Sequence, residues 1–260
     1  MAIMGLRDWL RENRRRMERD LAGSSWHRYI SAATYAQYRA AVPFLRRYVW
    51  GETIDLGCGE SPFRVLLPEA VTTYHTLDLF SPAGEVTYVG DIQDMSMIPD
   101  GRYDSALCFQ VLEHVPDPHK AMCEAYRILK PGGVMVVSVP HLSRLHDEPH
   151  DYHRFTVYGV RRLFERAGFT VVAIRRKAGL FSFLGHQASS VLLSAVWPVP
   201  GLRQIAWFLN AAFLLYPCYG LDRLFCRSDV LALGYVAVGQ KPGAAAREAA
   251  AADQGANVAS

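Results

Sequence analysis

A doubly wound α/β fold is predicted for this 260-residue chain by three observations. Short apolar stretches alternate with amphipathic stretches of helical length between residues 50 and 175, the pattern of a parallel sheet wound by right-handed crossovers. One of them, Thr53-Ile54-Asp55-Leu56, runs directly into Gly57-Cys58-Gly59. A turn this tight needs positive φ and no Cβ, so that backbone can approach a ligand. Apolar residues make up 50% of the chain, which is ample for a sheet covered on both faces.

Taken in order, residues 2–21 set Ile3, Leu6, Trp9, Leu10, Met17 and Leu21 near one face of a helix, with arginines around the rest. This is either a surface helix packed on the domain or a basic amphipathic helix lying on anionic lipid. A second helix is expected over 31–48, leading into strand one at 52–56. The run after Ser61 can start a helix. Strand two is expected at 73–79 and strand three at 86–89, closed by Gly90-Asp91-Ile92. Residues 102–110 are a continuous apolar run suited to a strand buried on both faces. The turn Pro116-Asp117-Pro118 precedes a helix over 118–130, which Lys130-Pro131-Gly132-Gly133 stops. Strand five follows at 134–139. A helix over 156–167, capped by Thr156 and ended by Gly168, leads to a sixth strand at 169–175. Residues 231–238 supply the last strand, and the Ala/Gly-rich tail from Lys241 is expected to be disordered. The organisation is therefore N-terminal helices over 1–48, a core over 49–177 and 230–240, an apolar helical insert over 178–229 and a tail over 241–260.

A net charge of +3 is too small to argue for nucleic acid, and no aromatic-plus-basic groove signature is visible along the chain. Six arginines do cluster between Arg7 and Arg19, but Asp8, Glu12, Glu18 and Asp20 offset most of them. The five cysteines are odd in number and lack C-x-x-C spacing, which favours a reducing compartment and no structural zinc. Arg7, Asp8 and Arg11 break what would be the apolar core of a signal peptide, so a cytoplasmic protein is expected.

About 20 residues beyond the glycine turn, Tyr74-His75-Thr76-Leu77 ends in Asp78, and a strand–glycine turn–helix–strand–acid unit holds a ribose at such an acid. Further on lie Gly90-Asp91-Ile92, then Phe109-Gln110-Val111-Leu112-Glu113-His114-Val115, then Leu129-Lys130-Pro131-Gly132-Gly133. Together with Asp55-Leu56-Gly57-Cys58-Gly59, these stretches resemble the class I S-adenosylmethionine-dependent methyltransferases of the small "type 11" kind. The resemblance spans residues 50–175, with 231–239 as the expected final strand. It implies a Rossmann-like sheet of seven strands, the last antiparallel, and S-adenosylmethionine as cofactor. It also implies roles. Backbone N–H groups at Gly57 and Gly59, with the following helix N-terminus, would receive the methionyl carboxylate. Asp55 would take the ammonium, Asp78 the ribose hydroxyls and Asp91 the adenine amino group, with Ile92 against the ring and Gln110 closing the pocket near the methyl. One departure stands out: where many members have a third glycine, this chain has Ser61-Pro62, which is expected to tighten the helix start.

Methyl transfer to oxygen or nitrogen needs a nucleophile held near attack distance and, in many cases, a base for its proton. The loop after strand five carries His141, His146, Asp147, Glu148, His150, Asp151 and His153, and Asp147 to Thr156 is similar to a run seen in relatives of this family. Three readings stand open for it: a structural lid; a general base, with His150 first and His146 second; or a metal site, which no ligand spacing on a helix supports. His114 is a further candidate base.

Between Ala178 and Leu221 the only formally charged residue is Arg203. Prolines 198, 200 and 217 are expected to break this insert into short helices, each near or below the roughly 20 apolar residues of a span. It reads as a cap on the sheet edge, a wall for a greasy substrate, or a membrane-contact surface with Trp197, Trp207, Tyr216 and Tyr219 at headgroup level. The function expected is methyl transfer to a small or lipid-linked acceptor, on oxygen. The rivals are a cofactor-binding module without catalysis and a nucleic-acid methyltransferase. The oligomeric state is left open.

Overall fold

The computed structural model describes residues 5–21, 24, 26–81, 86–226 and 229–243. Its elements run α1 (Leu6–Leu21), α2 (Ala32–Tyr48), β1 (Gly51–Leu56), β2 (Val71–Asp78), β3 (Tyr88–Val89), β4 (Tyr103–Phe109), α3 (Pro118–Ile128), β5 (Leu129–Pro140), α4 (Val157–Arg166), β6 (Thr170–Arg176), α5 (Leu180–Val196), α6 (Leu202–Asn210), α7 (Tyr216–Phe225) and β7 (Gly234–Gln240). The seven strands form one sheet in the order β3-β2-β1-β4-β5-β7-β6. β1 to β5 pair in parallel, and β7 runs antiparallel to both β5 and β6. This is the seven-stranded, last-strand-antiparallel sheet expected.

Both faces of the sheet are buried, as the unbroken apolar strands require. Along β5 the side chains alternate. Met135, Val137 and Val139 join the core formed with Met122 and Ile128 of α3 and Phe164 of α4. Val136 joins the opposite core, with Phe44 and Leu45 of α2. Each fully buried Val or Leu contributes about 1.5–3 kcal/mol, so the two cores hold the helices down on both sides. Asp117, expected only as a turn residue, caps α3 by accepting from the N–H groups of His119 and Lys120 (3.0 and 3.1 Å), and Thr156 caps α4 as expected by accepting from Gly159 N–H (3.0 Å). Gly168 then ends α4 at φ +93°.

The helix expected after Ser61 does not form. Ser61 takes φ +48°, Pro62 follows, and Phe63 turns into the core, stacked on Phe109 at 4.4 Å and beside Tyr38 at 4.8 Å. Only the single 3₁₀ turn Arg64–Leu66 fits before β2. The strand 86–89 shortens to Tyr88–Val89. Lys130-Pro131-Gly132-Gly133 ends the helix as expected but already belongs to β5. The expected tail also starts too early. Lys241 is buried, and its ammonium donates to the carbonyls of Tyr126 (2.7 Å) and Leu129 (2.6 Å), closing the C-terminal end of α3. Residues 244–260, and Ile3 of the expected first helix, lie outside the described residues.

The insert is helical and packs on α1 and α2 rather than along the sheet edge. Met17, Ile30, Leu193, Trp197 and Ala206 form its own small core. Prolines 198 and 200 separate α5 from α6, but Pro217 does not break the chain of helices. A π-helical turn, Ala211–Leu215, lies immediately before α7 and opens the ladder where the proline ring and missing N–H require it. Polar contacts pin the insert. Trp197 Nε1 donates to Asp20 (2.9 Å), Asn210 Nδ2 donates to Ile30 O (3.0 Å), and His186 Nδ1 meets Ser31 Oγ at 2.9 Å. The strongest pin is the buried Asp222 of α7, which accepts from the N–H groups of Gly179, Phe181 and Ser182 at 2.9–3.0 Å and so caps α5 from a distance. The outward face stays apolar: Phe208, Phe213 and Phe225 are 71%, 71% and 70% exposed. Among the described residues, no helix is long and apolar enough to cross a membrane.

Asp222→Ala would leave three buried N–H groups without an acceptor, so it should cost about 2–4 kcal/mol in urea denaturation, with Asp222→Asn costing about half as much. Equal stability of Asp222→Ala and the parent would show that α5 is held by its apolar contacts alone.

Candidate active site

The carboxyl ends of β1, β2, β3 and β4 converge, which is where an open parallel sheet presents its ligand-binding crevice. The β1 turn is tight. Gly57 and Gly59 sit at φ +69° and +48°, and a Cβ at Gly57 would lie 2.5 Å from Val111 Cγ2. Gly57 therefore needs both its conformation and its missing side chain, whereas Gly59 needs only the conformation. Their N–H groups are not aimed at a ligand as expected. Gly57 N–H donates to Leu77 O (2.7 Å), and Gly59 N–H donates to Asp78 Oδ2 (2.9 Å). With no helix after Ser61, a helix N-terminus is also missing at this spot.

The acids expected at the strand ends are in place. Asp78 joins the glycine turn to β2 and keeps further lone pairs for a ligand. Asp55 is buried and accepts from Tyr74 OH at 2.6 Å. Burial pushes its carboxyl up to about 6, opposed by the Tyr74 hydrogen bond and aided by the negative Asp78. Asp91 is gripped by Gln93, whose backbone N–H (2.8 Å) and side-chain amide donate to it. Gln93 Oε1 in turn accepts from Asp117 N–H (2.9 Å), which ties the β3 end to α3. Ile92 is buried beside Asp91. Gln110 occupies φ +57°, a strained conformation for a residue with a side chain. Its N–H donates to Ser138 O (2.8 Å), and its side-chain amide reaches Ser138 Oγ (3.3 Å). Carboxylates that can accept from hydroxyls, an amino group and an ammonium, around a buried isoleucine, suit the donor set of S-adenosylmethionine.

The loop after β5 is pinned by Asp151 and Arg154, a bidentate pair at 2.5 and 2.6 Å. The Arg154 guanidinium holds the Asp151 carboxyl down at about 2. Arg154 also donates to Arg144 O (2.9 Å), and Asp151 accepts from His146 N–H (3.0 Å). This pin orients the three histidines differently from the order expected. The exposed His150 imidazole turns to Tyr152 OH (2.8 Å) and stands off the cleft. His146 lines the cleft together with Gln110, and its ring meets that of His114 edge-on at 4.7 Å. Burial lowers the basicity of His146.

Glu113, to which no role was assigned from sequence, is fully buried, and neither of its carboxylate oxygens has a hydrogen-bond partner among the described residues. Its Oε1 lies 4.0 Å from His114 Nε2. Burial pushes Glu113 up and the buried Lys177 down, each partly offset by the other's charge. Lys177 reaches Ser138 Oγ at 3.4 Å, so Ser138 links it to Gln110. The sequence held no signal for Lys177, which there reads as the end of the basic run Arg175-Arg176-Lys177. Glu113, His114 and His146 each offer one ligand atom, all within 4.8 Å of one another. That set could receive a divalent cation. The expectation of no metal rested on linear spacing, which does not show that the loop returns His146 to His114.

A cleft of about 250 Å³ opens beside Gln110, His146 and Lys177, roofed by Arg14, Gln37 and His186 of the helices above. It adjoins a groove of about 780 Å³ between α1 and α5, with Arg14, Arg144 and His146 lining both.

The family model described as a methyltransferase domain matches residues 26–174, more than half of the chain. Among curated proteins, the chain is 28% identical over 165 residues to a sterol 24-C-methyltransferase of Yarrowia lipolytica, covering 54% of this chain and 42% of that protein. It is 33% identical over 98 residues to a ubiquinone biosynthesis O-methyltransferase of Xanthomonas oryzae pv. oryzae, covering 33% and 41%. The chain thus spans about four-tenths of the length of these two relatives. Among solved structures, a SAM-dependent methyltransferase from Thermotoga maritima superposes with a TM-score of 0.52 at 16% identity, covering 90% of this chain and 98% of that one. The [4+2]-cyclase SpnF superposes with a TM-score of 0.51 at 15% identity, covering 81% and 80%. The sheet is common to both, so the family assignment comes from the sequence match and the strand-end acids. This chain belongs to the methyltransferase-domain family.

Proposed function

We propose that the chain is an S-adenosylmethionine-dependent methyltransferase that methylates an oxygen of an acceptor with a polar head and an apolar tail. The observation that carries this reading is the groove between α1 and α5, which runs into the cleft at Gln110 and His146. Its walls combine Leu6, Leu10, Leu145 and Val191 with Arg11, Arg15, Asp147 and Glu148, so it suits an apolar chain next to a strongly polar group. The sterol and ubiquinone methyltransferases among the relatives act on molecules that are largely apolar, which supports the same class. S-adenosylmethionine supplies an electrophilic methyl group on sulfur when bound. Asp55 would pair with its ammonium, Asp78 would accept from its ribose hydroxyls, Asp91 would accept from its adenine amino group beside Ile92, and Gln110 would close the pocket near the methyl. His146 takes the acceptor proton, because it is the loop histidine that lines the cleft. The Asp151–Arg154 pair holds it there, and His114 packs against its ring. The helices above exclude water from the reacting atoms.

Asp78→Ala removes two charge-assisted hydrogen bonds, each worth about 1.5–3 kcal/mol, so calorimetry should show cofactor affinity falling by at least ~100-fold. An unchanged affinity would remove Asp78 from the pocket.

Asp55 must be ionised to pair with an ammonium. Its carboxyl titrates near 6, so affinity should be flat above that pH and fall up to about tenfold per unit below it. In Asp55→Asn that acid limb should vanish; a limb that survives belongs to another group.

His146→Ala should lower turnover by roughly 10²–10⁴ with cofactor affinity intact, while His150→Ala leaves turnover within a few-fold. Dialysis against a chelator should leave the parent active. Loss of activity on chelation, restored by a divalent cation, would move the role from His146 as base to a cation at Glu113, His114 and His146. For the groove, Val191→Glu should raise KM for a lipid-extract acceptor at least tenfold without touching cofactor affinity. Equal KM values would place the acceptor elsewhere.

A further inference from the structure

We propose that the face formed by α2, β6 and α7 is a docking surface for a bilayer rich in anionic phospholipid. The inference goes beyond the acceptor reading, because it concerns where the enzyme works rather than what it methylates. Three distant stretches bring six arginines to one groove of about 830 Å³: Arg28, Arg39 and Arg46, then Arg175 and Arg176, then Arg223. Among the described residues, no acidic one lines it. The nearest carboxylate in sequence, Asp222, is buried and turned inward to cap α5. A chain with a net charge of only +3 has therefore gathered six positive charges on one face. Such a patch attracts anionic headgroups by about 1 kcal/mol per basic residue near the surface.

Two of the guanidinium groups are held against rings: Arg28 lies 5.1 Å over the Tyr29 ring and Arg175 lies 5.0 Å over the Phe44 ring. Planar groups fixed against aromatic faces keep their outward N–H donors for phosphate oxygens. Arg39, Arg46, Arg175 and Arg223 are exposed.

Two observations favour a membrane over a nucleic acid. The tyrosines of the groove are occupied by one another: Tyr29 stacks on Tyr35 at 6.0 Å, and Tyr35 meets Tyr216 and Tyr219 edge-on at 5.6 and 5.1 Å. Bases need open ring faces to stack on, and these rings already pack against one another. The charge is also continuous with apolar surface. Arg223 shares α7 with Leu224 and Phe225, which are 67% and 70% exposed, and Phe213 (71%) lies one turn before that helix. Basic groups rimming exposed aromatic and aliphatic side chains are what an interfacial surface presents to headgroups and upper acyl chains. The buried Tyr38 lines both this groove and the cleft beside Gln110, so a docked bilayer would lie behind one wall of that cleft.

The test is flotation of the full chain with vesicles of phosphatidylcholine alone or phosphatidylcholine doped with phosphatidylglycerol, compared with the triple variant Arg46→Gln, Arg175→Gln, Arg223→Gln. These residues touch neither the strand-end acids nor the histidines, so circular dichroism and affinity for S-adenosylhomocysteine should be unchanged and serve as the folding control. The expected result is binding to the anionic vesicles only, weakened by salt, and reduced about 100-fold in the triple variant, or roughly fivefold per arginine. Equal flotation with neutral vesicles, or full binding by the triple variant, overturns the proposal. So does failure to float with either vesicle. Tight binding of single-stranded RNA at the same salt, lost in the triple variant, would replace the bilayer with nucleic acid. Methyl transfer to a detergent-solubilised lipid extract separates this outcome from the acceptor reading, because the triple variant should retain it.

Discussion

The close approach between Gly57 and Val111 is the constraint on which the rest of the site depends. Only a glycine in the left-handed region lets the chain leave β1 beneath that side chain, where a Cβ would sit 2.5 Å from Val111 Cγ2. The turn is then joined to the neighbouring strand twice, through Gly57 N–H to Leu77 O and Gly59 N–H to Asp78. The ends of β1, β2 and β4 are thereby brought into register. Asp55, Asp78 and Gln110 become neighbours although they lie far apart in sequence. The strain visible at Gln110 is held by Ser138, whose backbone and hydroxyl both engage it.

Opposite this rigid edge stands a roof with a different kind of stability. α1, α2 and the insert meet through a small apolar core and a few polar pins, of which Asp222 and Asn210 are the most buried. The side chains that line the cleft from above therefore belong to elements attached to one another at least as much as to the sheet.

Charge in this protein is handled by position rather than amount. Glu113 and Lys177 are buried on the same side of the sheet, each displaced from its ordinary protonation by the loss of water and partly restored by the other. Asp151 and Arg154 solve the same problem by direct contact and hold the loop rigid. On the outside, arginines that look scattered along the chain are gathered by the packing of α2 on β6 and of α7 against α2.

By itself the sequence determined the sheet, its winding and its strand-end acids. Unbroken apolar runs between Gly/Pro stops have few alternatives to buried parallel strands, and acids at their ends have few places to go. The cap Thr156 and the stop at Gly168 were equally legible, because cap chemistry acts within a few residues. The absent helix after Ser61 was not, since it was decided by Phe63 finding Phe109 and Tyr38 across the fold. Nor was the ranking of the histidines. His146 rather than His150 faces the cleft because Arg154 and Asp151 fix the path of the loop between them. The assignment of Lys241 to a helix cap, the meeting of Glu113, His114 and His146, and the arginine groove share one cause. Each joins residues tens to hundreds of positions apart, and periodicity along the chain carries no information about distances across it.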